Sequence, residues 1–176
     1  MIRPCVETDL ENMFLIVNDA AIAYKGVIPE DCWHEPYMAM EELAHEIRDG
    51  VIFWGWEEDG ELQGVMGIQD RGPVTLIRHA YVRTERRNSG IGTKLLRHLE
   101  QLTETPILIG TWLAANWAIR FYEKNGYRML SRVETDALLR RYWRIPERQI
   151  VTSIVLADKK WVPVEGKANL SPQRRD

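Results

Sequence analysis

The stretch RRNSGIGTKLL, Arg86 to Leu96, constrains the fold more than any other part of the sequence. Two glycines separated by one residue stand between a basic, polar run and an apolar pattern with helical spacing. Glycine lets the backbone approach a ligand without obstruction by a Cβ atom, and free amides at a helix N-terminus attract anions. The stretch therefore predicts either a plain loop before a helix or a cradle for phosphate groups.

Two common phosphate-binding motifs do not fit this stretch. A Walker A loop requires a lysine directly after its last glycine, but Thr93 separates Gly92 from Lys94. A dinucleotide fingerprint requires a further glycine three residues after Gly92, where the chain has Leu95. The pattern that remains is Arg-x-x-Gly-x-Gly, which runs from Arg87 to Gly92.

The overall charge limits the classes of partner. The 176 residues carry a formal net charge of -3, so no global basic field recruits nucleic acid, and any anion site must be local. Neither the cysteines, Cys5 and Cys32, nor the histidines have metal-ligand spacing, so we expect no metal site.

No segment indicates a membrane span or a signal peptide. The longest nearly apolar run, Pro106 to Ile119, has about 14 residues, which is too short to cross a bilayer. The N-terminus lacks the apolar stretch of a signal peptide. We therefore expect a cytoplasmic protein without a membrane partner, and the sequence leaves the oligomeric state open, a homodimer included.

Strand and helix patterns alternate along the chain and predict an α+β domain over residues 1–157. Asp59-Gly60 predicts a hairpin turn between two apolar runs. Residues 158–176 form a polar tail that we expect to be loosely ordered. The later predicted elements are a strand over 74–82, a helix after the glycines, a strand over 107–112, a helix over 116–125, a strand over 127–133, a helix over 136–143 and a strand over 148–156.

A second stretch, NWAIRFYEKNGYRML from Asn116 to Leu130, lies one strand and one helix downstream of the glycine loop. Together the two stretches resemble the GNAT superfamily of acyl-CoA-dependent N-acyltransferases. The resemblance covers nearly the whole chain, and its specific part is Tyr81 to Tyr127. It implies a GNAT-like twisted mixed β-sheet flanked by helices, and transfer of an acetyl group from acetyl-CoA to a primary amine.

The resemblance also implies roles for individual residues. The glycine loop would hold the CoA pyrophosphate through backbone amides, which makes its cofactor-binding residues Arg87, Asn88, Ser89, Gly90, Ile91, Gly92 and Thr93. The strand end Tyr81, Val82 and Arg83 would pair with pantetheine, with amides near Val82 polarising the thioester carbonyl. Asn116 would contact the cofactor, although it could instead cap its helix. Tyr122 would protonate the departing thiolate, although it could instead be core.

The general base and the acceptor site stay open. Strand alternation places Ile77, His79 and Tyr81 on one face, and His79 is either a general base or a structural histidine. Many family members have a glutamate on this strand, so the histidine is a departure. Trp33 and Tyr37 belong to an acidic aromatic loop that runs from Tyr24 to Tyr37, and they either bind a cationic amine or only cover the surface.

Two other functions remain compatible with these residues. One is an acyl-CoA-binding module without turnover, and the other is a nucleotide-binding protein that uses the same loop. For the transferase, the acceptor is a small-molecule or peptide amine.

Overall fold

A seven-stranded mixed sheet runs through the computed structural model, which describes residues 1–163. The strand order is β1-β2-β3-β4-β5-β7-β6. Only β4 and β5 pair in parallel, and all other neighbours are antiparallel. The strands are β1 Ile2–Pro4, β2 Ile52–Glu58, β3 Glu61–Asp70, β4 Thr75–Val82, β5 Ile107–Trp112, β6 Arg128–Met129 and β7 Ser153–Ala157.

Helices cover both faces of this sheet. They are α1 Leu10–Ala21, α2 Met40–Arg48, α3 Ile91–Glu100, α4 Asn116–Lys124, α5 Arg132–Tyr142 and α6 Glu147–Val151. Because strand side chains alternate, Ile107 and Ile109 pack with α3 and α4 on one face, the α3/α4 face. Leu108 packs with α5 on the opposite face. α1 and α2 cover that opposite face over β2 and β3, so we call it the α1/α2 face.

The hairpin and the strands that lead to the site agree with the sequence predictions. Asp59 and Gly60 have φ angles of 53° and 81°, as a two-residue hairpin turn with left-handed central residues requires. β4 ends at Val82 and α3 begins at Ile91, so the glycine loop does connect a strand to a helix. Within residues 1–163, no helix combines the length and the apolar character needed to cross a membrane.

The predictions for the C-terminal third are partly wrong. The strand predicted over 127–133 is only Arg128–Met129, and α5 begins at Arg132 rather than at residue 136. The reason is a capping box: the Ser131 hydroxyl accepts a hydrogen bond from the Glu134 amide, and the Glu134 carboxylate accepts one from the Ser131 amide.

The strand predicted over 148–156 is also wrong in its first half. Residues Glu147–Val151 form the short helix α6, because the carbonyl of Pro146 accepts the amides of Gln149 and Ile150. The strand β7 follows at Ser153.

The predicted tail, 158–176, lies mostly outside the described residues, which end at 163. Its first residues contact the sheet. The Asp158 carboxylate accepts the Ile107 amide at 3.2 Å, and Lys160 Nζ donates to the Thr103 carbonyl at 3.0 Å.

Candidate active site

A β-bulge on β4 decides which side chains face the site. Gly67 on β3 pairs with Arg78, and Val65 on β3 pairs with Tyr81. The chain therefore advances three residues along β4 but only two along β3, which is one extra residue in β4. Within this bulge His79 has a left-handed φ of 52°. Histidine adopts positive φ more readily than most side chains, although still rarely.

The bulge reverses the alternation that the sequence predicted. Ile77 packs on the α3/α4 face, as expected from the pattern before the bulge. His79 contacts Glu46 on α2, and Tyr81 packs against the core beneath α1 and α2. The prediction that Ile77, His79 and Tyr81 share one face is therefore wrong, because the extra residue shifts the period by one.

β4 and β5 separate just beyond the same point. Their parallel pairing begins at Thr75 opposite Ile107 and ends at Ile77 opposite Ile109. β5 continues to Trp112 along its other neighbour, β7. The backbone groups of β4 that face β5 beyond Ile77 are therefore left without a strand partner, and a cleft opens between the strand ends.

The glycine loop leads from this cleft to the start of α3. Asn88 and Gly90 have φ angles of 62° and 82°, and Gly90 is the residue directly before the helix. Among residues 1–163, no side chain caps this helix N-terminus. Because the first amides of an α-helix have no intrahelical acceptor, those of the first turn, from Ile91 to Thr93, can donate to an anion.

The arginines near the loop hold it in place. Arg83 Nε donates to the Leu62 carbonyl on β3 at 2.9 Å. Arg87 Nη2 donates to the Ala20 carbonyl on α1, also at 2.9 Å. Arg86 forms an ion pair with Glu58. These arginines are therefore engaged with the protein itself. The backbone amides at the start of α3 are the main donors that remain available to a ligand at this end of the cleft.

Gly92 has a packing role that the sequence did not reveal. A Cβ atom on Gly92 would lie 3.3 and 3.4 Å from two ring carbons of Phe121, on α4. At Gly90 an added Cβ would meet nothing within 4 Å, and only the positive φ disfavours another residue. The two glycines thus serve different physical needs.

Helix α4 places the other predicted cofactor and acid residues. Asn116 is exposed at the first position of α4, and the helix start has no side-chain cap, so the alternative that Asn116 caps this helix is wrong. Tyr122 lies two turns further on and is only 6% exposed. Its ring meets those of Phe121 and Tyr127 edge to face, at centroid distances of 5.0 and 5.9 Å.

Tyr122 is a neutral phenol in this environment. Burial raises its pKa above the ordinary tyrosine value, and the charge that a nearby Tyr24 would carry acts in the same direction. No residue within 1–163 forms a hydrogen bond with its hydroxyl. Tyr122 is thus part of the core and also holds a proton that no other described residue engages.

Three further tyrosines line the space beside the cleft. The centroid of the Tyr24 ring lies 5.3 Å from that of Tyr37 and 5.6 Å from that of Trp117, which follows Asn116 in the chain. Burial raises the pKa of Tyr24, Tyr37 and Tyr81, so all three are neutral. Tyr24 was not among the predicted site residues, although it begins the aromatic loop that the sequence analysis singled out.

A cavity of about 470 Å³ opens on the α1/α2 face at the end of the cleft. Tyr37, one of the two predicted acceptor residues, lines it. Trp33, the other, is not in the cavity wall and stacks on Tyr37 at 5.7 Å. The loop is joined to α6 across the cavity by a two-point ion pair between Arg148 and Asp31, at 2.8 and 3.2 Å.

Glu46 is a residue of this cavity that the sequence did not indicate. Its carboxylate is 2.6 Å from Nη1 of Arg78 and 3.1 Å from Nε2 of His79. Burial raises the pKa of Glu46, but the hydrogen bonds and charges of His79 and Arg78 outweigh burial and hold this pKa below its ordinary value. Glu46 lies 32 or more residues away from its partners in the chain, so no local pattern could have revealed it.

The described part of the chain has no cluster of three or more histidine, cysteine or acidic side chains that could hold a metal ion. Both cysteines are free thiols.

Comparisons with known proteins give the same architecture. Residues 49–129 match the Acetyltransferase (GNAT) domain family. The PaiA N-acetyltransferase from Thermoplasma acidophilum, solved with coenzyme A, is 19% identical over 92% of this chain and 98% of its own, with a TM-score of 0.69.

Two further structures are similar in fold. The ribosomal-protein-alanine N-acetyltransferase from Brucella melitensis is 19% identical over 90% of this chain and 98% of its own, with a TM-score of 0.62. The ribosomal-protein-S18-alanine N-acetyltransferase from Escherichia coli is 16% identical over 94% of this chain and 97% of its own, with a TM-score of 0.64. The expected twisted mixed sheet flanked by helices is confirmed.

Proposed function

We propose that the chain transfers an acetyl group from acetyl-CoA to a primary amine by direct attack, because residues 49–129 match the Acetyltransferase (GNAT) domain family and a structure of similar fold holds coenzyme A. The observation that carries the proposal is the cleft between β4 and β5. Uncapped amides of α3 lie at one end of it, and the cavity with His79 lies at the other.

The residues present fit acetyl-CoA. The pyrophosphate would bind the first amides of α3, where Gly90 provides the left-handed turn and no side chain competes for the donors. Pantetheine would pair with the free backbone edge of β4 near Val82, since that edge has no strand partner beyond Ile77. Asn116 is exposed beside this cleft and has no capping role.

Acetyl-CoA supplies the acetyl group as an activated thioester. The chain's own residues would then act at three points. Amides of β4 near Val82 would stabilise negative charge on the carbonyl oxygen. His79 would take a proton from the amine, and Tyr122 would donate its phenolic proton to the leaving sulfur. A buried, neutral tyrosine suits this last role because it keeps its proton at neutral pH.

The amine would enter through the cavity on the α1/α2 face. Tyr37, Glu42 and Glu46 line it, and aromatic faces and carboxylates attract an ammonium group. Two of the similar structures are named for acetylation of an alanine in a ribosomal protein. We therefore propose an acceptor that is either a small amine or the amino terminus of a peptide.

A thiol-release assay tests the proposal. The wild-type chain is incubated with acetyl-CoA and a panel of amines that contains amino acids, polyamines, aminoglycosides and peptides with free amino termini. We expect release of CoA thiol with at least one class, together with a mass gain of one acetyl group on the amine. Tight acetyl-CoA binding without thiol release from any amine would instead support a binding module. Displacement of acetyl-CoA by ATP or NAD would support a nucleotide-binding protein.

A further inference from the structure

We propose that Glu46 is a positioning residue that fixes the tautomer of His79, so that Nδ1 of this ring is the atom that accepts the amine proton. The inference rests on the proposed function and names the basic atom within it.

The geometry begins with the β-bulge. The left-handed backbone of His79 turns its side chain onto the α1/α2 face, away from Ile77. There the ring stacks on Phe53, with centroids 5.8 Å apart, and lines the cavity. A rare backbone conformation in a half-buried residue persists only if its surroundings hold it, and such residues concentrate at functional sites.

The carboxylate of Glu46 holds the other side of the ring. Its Oε2 lies 3.1 Å from Nε2 of His79. Arg78, which is only 10% exposed, contacts both carboxylate oxygens, with Nη1 2.6 Å from Oε2 and Nη2 3.1 Å from Oε1. These contacts keep Glu46 ionised, since its pKa is held below the ordinary value. The orientation of the carboxylate is therefore fixed from two directions.

An ionised carboxylate can only accept hydrogen bonds. Nε2 of His79 must therefore carry the proton in this contact. In the neutral ring the lone pair is then on Nδ1, which leaves Nδ1 as the basic atom. An N–H bond of the incoming ammonium breaks and its proton bonds to Nδ1, while the electron pair stays on the amine nitrogen. Glu46 then stabilises the imidazolium, which later returns the proton to solvent.

Other charged groups face this pair from the surrounding elements. Arg78 on β4 contacts the same carboxylate. Burial and the charge of Arg71 lower the pKa of Arg78, whereas the charges of Glu46 and Asp49 raise it. Glu42, one turn earlier on α2, lines the same cavity, as do Arg144 and Arg148 from the α5 and α6 side. Glu41 lies on the same helix but not in the cavity wall, is exposed and forms no ion pair among residues 1–163, which makes it the control for loss of one negative charge from α2.

The first experiment compares pH–rate profiles of kcat/KM for wild type, Glu46→Gln, Glu41→Gln and His79→Asn with the active amine. Asparagine tolerates positive φ and cannot act as a base, so His79→Asn keeps the bulge and should remove the acidic limb. Glu46→Gln should lower kcat/KM by about 2- to 10-fold on the plateau, as expected for loss of one hydrogen bond that fixes the ring. Glu41→Gln should leave kcat/KM near wild type.

The second experiment reads the tautomer without activity. ¹⁵N NMR of imidazole-labelled protein, above the pH of the acidic limb, should show His79 protonated at Nε2 in wild type, with the signal assigned from His79→Asn. Glu46→Gln should give a mixture of tautomers, because an amide can either donate to the ring or accept from it. Thermal unfolding confirms that each variant is folded.

Two results would overturn the proposal. One is a kcat/KM equal to that of wild type in a folded Glu46→Gln variant. The other is a wild-type His79 protonated at Nδ1. If no amine is acetylated by wild type, the proposed function fails, and the NMR result still decides whether Glu46 fixes the ring.

Discussion

The indole Nε1 of Trp112 donates a 2.8 Å hydrogen bond to the hydroxyl of Tyr37. The contact joins the end of β5 to the aromatic loop between α1 and α2, two segments 75 residues apart in the chain. Both residues line the cavity, so the bond fixes one wall of the proposed acceptor site.

Tyr37→Ala should raise the KM for the amine while leaving the KM for acetyl-CoA nearly unchanged. The substitution removes the aromatic wall and leaves the Trp112 N–H without its partner. We expect an increase of about 5- to 30-fold, which corresponds to about 1–2 kcal/mol of lost contact. Trp33→Ala should have a smaller effect in the same direction, since Trp33 lies outside the cavity wall and stacks on Tyr37. Equal increases in both KM values would contradict an acceptor-specific wall.

Gly90→Ala should weaken acetyl-CoA binding by about tenfold or more, as expected for one lost hydrogen bond to a charged group. The matched control is Gly60→Ala in the β2–β3 hairpin. Both glycines have φ near 80°, and an added Cβ meets nothing within 4 Å at either. Both variants should therefore lose about 1–2 kcal/mol of unfolding free energy, but only Gly90→Ala should lose affinity. Calorimetric titration and chemical denaturation measure the two quantities.

Gly92→Ala should also weaken acetyl-CoA binding, through a different cause. Its Cβ would lie 3.3 Å from the ring of Phe121, so either this ring or the start of α3 must shift by a few tenths of an ångström, and we expect the amides at the start of α3 to be displaced. Phe121→Leu in the same chain should restore part of the affinity by making room. If the double variant binds no better than Gly92→Ala, the packing explanation is wrong.

Tyr122→Phe should lower kcat by roughly tenfold to a thousandfold and leave acetyl-CoA affinity near wild type, because the ring stays and only the proton is lost. Tyr127→Phe is the control. It also removes a buried hydroxyl, one that donates a 3.0 Å hydrogen bond to Glu100, but this hydroxyl has no role in transfer. It should reduce stability and keep wild-type kcat. Wild-type kcat in Tyr122→Phe, with chemistry rate-limiting, would refute the acid role.

Asp9→Asn should lower the free energy of unfolding by about 1–3 kcal/mol at pH 7. The Asp9 carboxylate accepts two hydrogen bonds from Arg3, at 2.7 and 2.9 Å, and one from the Val6 amide at 2.8 Å. The bond from Arg3 holds the pKa of Asp9 below its ordinary value, against the effect of burial.

A lowered pKa in the folded state fixes the direction of the pH dependence. The stabilisation is complete above the ordinary Asp pKa of about 4 and is lost as the pH falls through the folded-state pKa. Denaturation curves of wild type and Asp9→Asn should therefore converge in acid. Glu147→Gln breaks an exposed ion pair with Arg140. It should leave the free energy of unfolding unchanged both at pH 7 and in acid.

The local patterns determined most of the elements that carry the site. Asp59-Gly60 defined the hairpin, because few other residue pairs accept two left-handed positions in a turn. The two glycines after β4 and the apolar spacing beyond them defined the start of α3. Local signals compete around Ser131 and Pro146, where the hydrophobic pattern alone predicted strands. The structure has helices there instead, because the Ser131 side chain caps α5 and the Pro146 carbonyl accepts the first hydrogen bonds of α6.

Turn chemistry and side-chain period act over a few residues, so local patterns were enough to predict the strand–loop–helix units of the candidate site. The face that His79 occupies could not be predicted in this way, because one extra residue in β4 reverses the alternation and that bulge depends on pairing with β3. The tertiary structure also brought Glu46 to His79 from 33 residues away and Trp112 to Tyr37 from 75. Contacts between distant elements arise from packing, and no local pattern encodes them.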